Sequence, residues 1–504
     1  MLPMARRCRR RSLPAMGDPL TPLDATFLEL EQLDEGATMH IGGVLLFDPL
    51  PDGTVPSLEA VCTGIASRLS VLPRYTQRLS SERTGRLAWP QWRQDPQFDL
   101  RNHVHRAALP APGGDAEMCE WAADFFSHRL DRTRPLWEMV LVEGLEHGRW
   151  ALATKTHHAL VDGVGSVDVM HLLFDGEPSP PPAASPPAVD EPSSLWPAHV
   201  PHPPDAVAEL ARTGVRAAAA GVHAALHPRE AFERSRALAE LIVRDELIAA
   251  PHTSLNVPTG ATRRFEIVRV SLLDLKAIGR ELGGSVNDVV LAACTTGLRR
   301  LLLSRGEPTP PEGLRAMVPI NVRSASEKLA LGNRISSLFV ELPVAEPDAS
   351  ARFHEIVERT SSLKASNAAL GAATMIDIAA LAPPILHALV ARSLYATRLF
   401  NLTITNVPGP RMPLYAFGAE LREDFPLVPL AAGHAVGIAI VSYNAGIVLG
   451  LSADCDSTPD LYVLTEGVEE GFAELRTLLP ADAKRRSATQ KPTNSDSSHT
   501  AARN

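Results

Sequence analysis

Cysteine is scarce and scattered. Cys8, Cys62, Cys119, Cys294 and Cys455 make an odd set without any Cys-x-x-Cys spacing, which offers no disulfide framework and fits reduced thiols in a cytoplasm. Positive charge is not in excess either: a net charge of −9 argues against nucleic acid as a partner. No apolar run is long and clean enough to span a bilayer. Ile376 to Leu394 is broken by Pro383-Pro384 and carries Asp377, His387 and Arg392, and Val428 to Ser452 reads as strand, turn, strand around Tyr443-Asn444. Arg6, Arg7, Arg9, Arg10 and Arg11 are followed by no apolar segment, so no secretory signal is expected. Residues 1–19 read as a disordered leader, or as sequence upstream of a start at Met16. Gly-x-Ser-x-Gly, P-loop, Gly-x-Gly-x-x-Gly and His-Glu-x-x-His patterns are all missing. Their absence removes support for a hydrolase serine elbow, the usual phosphate and dinucleotide cradles, and a zinc protease site.

What is present centres on His157-His158-Ala159-Leu160-Val161-Asp162-Gly163. Ahead of it, Trp150, Leu152, Thr154 and Thr156 alternate with Ala151, Ala153 and Lys155, the period-two pattern of a largely buried strand. Behind it, Val167, Met170, Leu173 and Phe174 recur at helical spacing. The histidines are therefore predicted at a strand-to-helix junction, with Gly163 and Gly165 permitting a tight turn. Imidazole titrates near neutrality, so a histidine here can take a proton at working pH. A buried structural histidine and a metal ligand are the competing readings; no Cys/His cluster completes a metal site, and none is expected.

Apolar residues at 45% and charged residues at 21% describe a globular chain, and 504 residues suffice for two domains. Strand and helix alternate from residue 20 to 175, including a predicted strand at Pro135 to Val142. That strand is expected to pair with Trp150 to Thr156 across a turn at Gly144 to Gly148. Eleven prolines between Pro178 and Pro204 mark the clearest boundary, so 176–250 reads as a Pro-rich linker with connecting helices. A second α/β half is expected over 251–479. It has helix starts at Ser271-x-x-Asp274 and Ser285-x-x-Asp288, and strands at 264–270, 316–322, 335–342, 401–405 and 436–451. Residues 480–504 are polar and read as a disordered tail.

His158 and Asp162, within His-His-x-x-x-Asp-Gly, resemble the motif of the CoA-dependent acyltransferase superfamily. The remaining motifs narrow the resemblance. Leu23-Asp24-Ala25 with Phe27-Leu28, Met39-His40-Ile41-Gly42-Gly43, Pro135-Leu136-Trp137, and Asn287-Asp288-Val289-Val290-Leu291 resemble the bacterial wax ester synthase/diacylglycerol acyltransferase family. So do Val318 to Arg323, Leu331-Gly332-Asn333, Asn406 to Pro410 and Ser442-Tyr443-Asn444. The match runs in the family's order from about residue 20 to 478.

The resemblance implies an α/β fold of two domains, each a mixed sheet with helices, and an active-site channel between them. It implies an O-acyltransferase that uses acyl-CoA to esterify diacylglycerol or a long-chain fatty alcohol, with no cofactor besides the acyl-CoA substrate. By the same resemblance His158 is the general base beside His157, and Asp162 is structural and often paired with an arginine, for which Arg323 is a candidate. Glu31 matches an acidic position of the N-terminal motif, followed here by Gln32 where the family often has serine. Asn287 fits two readings, a donor near the reacting carbonyl or a helix-start residue present for capping. Pro135 and Trp137 read as packing. Water-insoluble acceptors imply peripheral contact with the inner face of the plasma membrane or with lipid inclusions, and Ile376 to Leu399 is the candidate contact stretch. Two alternatives are a condensation or polyketide-associated acyltransferase of the same superfamily and a non-catalytic protein of lipid-inclusion surfaces.

Overall fold

A computed structural model describes residues 18–34, 36–80, 90–160, 173–178, 249–321, 335–365 and 399–480. The first half contributes β1 (Asp18–Pro19), α1 (Pro22–Leu33), β2 (His40–Phe47), α2 (Leu58–Arg68), β3 (Gln77–Leu79), β4 (Gln91–Gln94), β5 (Val104–Ala108), α3 (Asp115–Ser127), β6 (Trp137–Glu143) and β7 (Trp150–His157). The second contributes β8 (Arg263–Ser271), α4 (Leu272–Leu282), α5 (Val286–Ser304), β9 (Leu314–Asn321), β10 (Ile335–Leu342), α6 (Ala349–Ala365), β11 (Leu402–Pro408), β12 (Tyr415–Ala416), β13 (Ala419–Leu427), β14 (Val436–Tyr443), β15 (Gly446–Asp454) and α7 (Leu461–Thr477).

Two six-stranded mixed sheets result, in the orders β12-β13-β2-β7-β6-β5 and β10-β9-β11-β14-β15-β8. The predicted hairpin forms, with Trp137 opposite Thr156 and Val142 opposite Ala151. The second sheet is parallel where β11 meets β9 and β14, and antiparallel elsewhere.

The first sheet is not built by the first half alone. β13 lies beyond the Pro-rich segment, yet it pairs antiparallel with β2 from Leu427 opposite Gly42 to Leu421 opposite Phe47. Residues 251–479 thus supply strands to the first sheet as well as all six strands of the second. Among the described residues of the first half only β7 pairs with β2, and a strand edge left with bare N–H and C=O groups must be covered. The second half supplies the cover. The same strand turns Phe425 and Leu427 toward Val44, Leu46, Phe265 and Val448, so one apolar cluster spans both halves.

Local chemistry accounts for most helix ends. Thr21 caps α1 by accepting from the Asp24 N–H, with Pro22 at the first helical position, where its missing N–H costs nothing. Ser285 and Asp288 form the predicted reciprocal box at α5. At α4 only half of the predicted box is made. Ser271 accepts from the Asp274 N–H at 3.4 Å, but the Asp274 carboxylate turns to Arg476 at 2.6 Å, because an ion pair offers it more than a second backbone N–H.

Asp424, on β13, faces the side of the sheet opposite Phe425, where Gly43 makes room: a Cβ on Gly43 would stand 2.8 Å from Asp424 Oδ1. Burial alone pushes this carboxyl up to about 7. The folded protein therefore keeps the proton to a pH at which an unfolded aspartate, near ~3.9, has lost it. Its contribution to stability is full below the unfolded value and is lost as pH rises through about 7. Asp424→Asn is expected to raise the melting temperature at pH 8 by several degrees and to change it little at pH 4. Calorimetry at the two pH values checks this; equal effects at both would mean the carboxyl is not held protonated.

Candidate active site

β7 ends at His157, which lies opposite His40, the first residue of β2. The chain then turns: Leu160 N–H donates to the His157 carbonyl at 2.8 Å, and His158 N–H donates to the Met39 carbonyl at 2.8 Å. His158 is thus clamped at the rim of the sheet, as the alternation ending at Thr156 predicts. Asp162, Gly163 and Arg323 lie outside the described residues, as do the 167–172 part of the predicted helix and residues 376–398 of the candidate contact stretch.

The two histidines have different surroundings. His157 is buried at 1% exposure, and its Nδ1 accepts the Ala159 N–H at 3.0 Å. With Nδ1 accepting, the neutral ring carries its proton on Nε2, and Nε2 stands 3.5 Å from Glu31 Oε2. Burial holds the His157 pKa below its ordinary value, and the Glu31 carboxylate opposes that shift.

His158 is half-buried, with Nδ1 covered and its ring stacked on Phe27, centroids 4.0 Å apart and planes 12° from parallel. Burial brings its pKa down to about 4, helped by His157, while an interaction with its own backbone pulls upward.

Glu31 is the hub behind the pair. At 2% exposure it accepts from Arg132 Nε at 3.0 Å and also from Arg132 Nη2, and from the Met39 N–H at 3.3 Å. His40 Nε2 lies 3.3 Å from its other oxygen. Burial would raise this carboxyl, but hydrogen bonds from His157 and His40 outweigh it and hold the pKa well below the usual carboxylate range. Burial lowers His40 to about 4. At neutral pH the cluster is therefore one carboxylate, one guanidinium and two neutral imidazoles, a balanced set for a buried site. His40 also lines a cleft between the halves, facing Phe126, Phe265 and Leu430.

The other predicted residues divide. Trp137 is buried and donates from Nε1 to the Tyr75 carbonyl at 2.7 Å, and Pro135 is buried beside it, so both pack as expected. Asn287 is not the cap of α5, since Ser285 takes that place; its Oδ1 accepts from Asn406 Nδ2 at 3.4 Å, joining two of the motifs quoted above. No local pattern in the sequence singles out Arg132, and the motifs that contain His40 and Phe27 assign them no role. A lone histidine opening an apolar strand was the available signal for His40. Arg132, among neighbouring arginines and polar residues, gave none.

Residues 20–290 match the family model described as wax ester synthase/diacylglycerol acyltransferase catalytic domain, and 331–476 match the WS/DGAT C-terminal domain. A Mycobacterium tuberculosis protein named probable diacyglycerol O-acyltransferase tgs1 is 32% identical over 486 residues, 94% of this chain and 98% of that protein. The solved wax ester synthase/diacylglycerol acyltransferase of Marinobacter aquaeolei VT8 is 28% identical with a TM-score of 0.64, covering 91% of this chain and 99% of its own. A starter condensation domain of rhizomide synthetase RzmA, solved with C8-CoA, shares the fold at 13% identity and a TM-score of 0.56, over 92% of this chain and 95% of its own. Motifs, topology and both family models agree: the chain belongs to the wax ester synthase/diacylglycerol acyltransferase family.

Proposed function

We infer that the protein is an acyl-CoA-dependent O-acyltransferase that esterifies diacylglycerol to triacylglycerol and also accepts long-chain fatty alcohols, giving wax esters. The observation that carries this reading is the state of His158: half-buried at the end of β7, its backbone held by Met39, and kept neutral at working pH by burial, so that it can take a proton. Nε2 takes the proton of the acceptor hydroxyl as its oxygen attacks the thioester carbon. The C–S bond breaks, and the CoA thiolate leaves with that proton, so ester and free CoA form without a covalent enzyme intermediate. A positioned base contributes ~10²–10⁴-fold to such a step. His157 supports the loop, Asp162 is assigned a structural role with Arg323 as its candidate partner, and Asn287 is assigned to the developing oxyanion; removal of capping as the explanation for Asn287 favours that assignment.

Acyl-CoA and acceptor are read as entering a channel between the halves from opposite faces, a reading supported by the inter-half cleft lined by His40, whose ring adjoins that of His157. Water-insoluble acceptors place the protein in peripheral contact with the plasma membrane's inner face or with lipid inclusions, and no described helix is long and apolar enough to cross a membrane. Carbonate-resistant membrane association would reject the peripheral assignment.

The deciding assay offers purified protein palmitoyl-CoA with dioleoylglycerol or hexadecanol, and follows CoA release and product. Triacylglycerol is expected with the first acceptor and a wax ester with the second. CoA release without ester, or no turnover with either acceptor, would overturn the reading. The condensation-domain likeness, at 13% identity, extends to fold alone.

A further inference from the structure

Phe27 and Glu31 are four residues apart on α1, so they share one face of the helix. That face meets the two consecutive histidines one each: Phe27 lies flat against His158, and Glu31 faces His157. Phe27 is half-buried and packs against the small cluster of Leu30, Ala37 and Met39. Met39 is also the residue whose carbonyl holds the His158 backbone N–H. One short segment therefore grips His158 twice, at its backbone through Met39 and at its ring through Phe27. α1 is itself anchored, since Arg132 Nη2 donates to the Leu28 carbonyl at 3.1 Å besides binding Glu31.

We propose that Phe27 is a positioning residue for His158, a flat aromatic backing that sets the plane of the imidazole and shuts water off one of its faces. The inference rests on the reading of His158 as the base. A near-parallel stack at 4.0 Å is a contact that only a planar ring makes over its whole area, and it restricts rotation about χ2 of the histidine. With one face covered and Nδ1 buried, the acceptor hydroxyl approaches Nε2 in a single orientation. Phe27 touches no reacting atom in this scheme and acts only through the ring it backs. Among the described residues, the titratable and charged groups nearest the ring are His157 beside it, and Glu31, His40 and Arg132 beyond His157. None of these is altered by a change at Phe27.

Phe27→Leu keeps an apolar side chain of similar bulk and removes the plane; Phe27→Tyr keeps the plane; Phe27→Ala removes both plane and cover. The expected result for Phe27→Leu is a fall in kcat on the order of 10-fold, with KM for palmitoyl-CoA and dioleoylglycerol within about twofold, because orientation rather than binding is lost. Phe27→Tyr restores most of the turnover. In Phe27→Ala the acid limb of the kcat profile moves from about 4 toward ordinary histidine values near ~6.5, since burial is the main cause of the depression and water now reaches the ring. Unchanged kcat and acid limb in both Phe27→Leu and Phe27→Ala overturn the proposal. So does a loss in Phe27→Leu confined to KM, or one that Phe27→Tyr fails to restore. If Phe27→Ala does not fold, the Leu and Tyr pair decides alone. His158→Ala run in parallel separates the two levels: activity retained there rejects the base assignment, whereas activity lost there but kept in Phe27→Leu rejects only the positioning role.

Discussion

His158→Ala is expected to lower kcat by at least ~10²-fold, the contribution of one positioned base, with the melting temperature nearly unchanged. The two outcomes separate because the ring is half-buried and its clamp to Met39 runs through the backbone N–H, which alanine keeps. Losing the Phe27 stack removes one aromatic contact, of order ~1 kcal/mol. His157→Ala should show the reverse balance. That ring is buried, accepts the Ala159 N–H and faces Glu31, so its removal disturbs the turn and the hub more than the chemistry. Steady-state kinetics with palmitoyl-CoA and dioleoylglycerol, beside thermal melts, reads both variants. Turnover above about a tenth of wild type in folded His158→Ala would exclude a base effect of that size.

Glu31→Gln is expected to carry the largest stability cost of any single change in the site. The carboxylate is the one negative charge in a buried cluster that holds Arg132, with His157 Nε2 at 3.5 Å and His40 Nε2 at 3.3 Å. An amide of the same shape leaves the guanidinium without its counter-charge and sets an NH₂ where the carboxylate accepts from Arg132 or the Met39 N–H. Breaking a buried pair by changing one partner costs ~3–5 kcal/mol, and the lower part of that range applies here because Arg132 keeps 28% of its side chain exposed. Activity should fall with stability, through loss of the His157 support rather than through the base. Glu31 ionises well below neutrality in the folded state, so its stabilisation is present at neutral pH and is lost as acid protonates the carboxylate. Wild type should therefore lose stability more steeply than Glu31→Gln as pH falls below the ordinary glutamate range, when melts are compared at matched ionic strength. Parallel curves would show that the charge contributes nothing to folding.

Much of this site was legible in the sequence. Alternation from Trp150 to Thr156 set the strand, the His-His pair marked its end, and the serines at 271 and 285 marked two helix starts. Each is a local rule with a period or a cap behind it. Glu31 was reached only through a motif position, because a glutamate on an amphipathic helix looks the same whether solvent or a histidine lies above it. Arg132 was not reached at all. Its role depends on meeting a carboxylate 101 residues earlier in the chain, and no local pattern encodes such a meeting.

By itself the sequence determined which of the described segments become strand or helix and which histidines stand at a strand end. Those outcomes follow from side-chain period, caps and backbone restriction, all acting within a few residues. Tertiary structure alone decided that β13 crosses back to close the first sheet and that α1 presents Phe27 and Glu31 to successive histidines. Edge pairing, ion pairing and desolvation depend on what arrives from far along the chain, and they exist only once the two halves have packed.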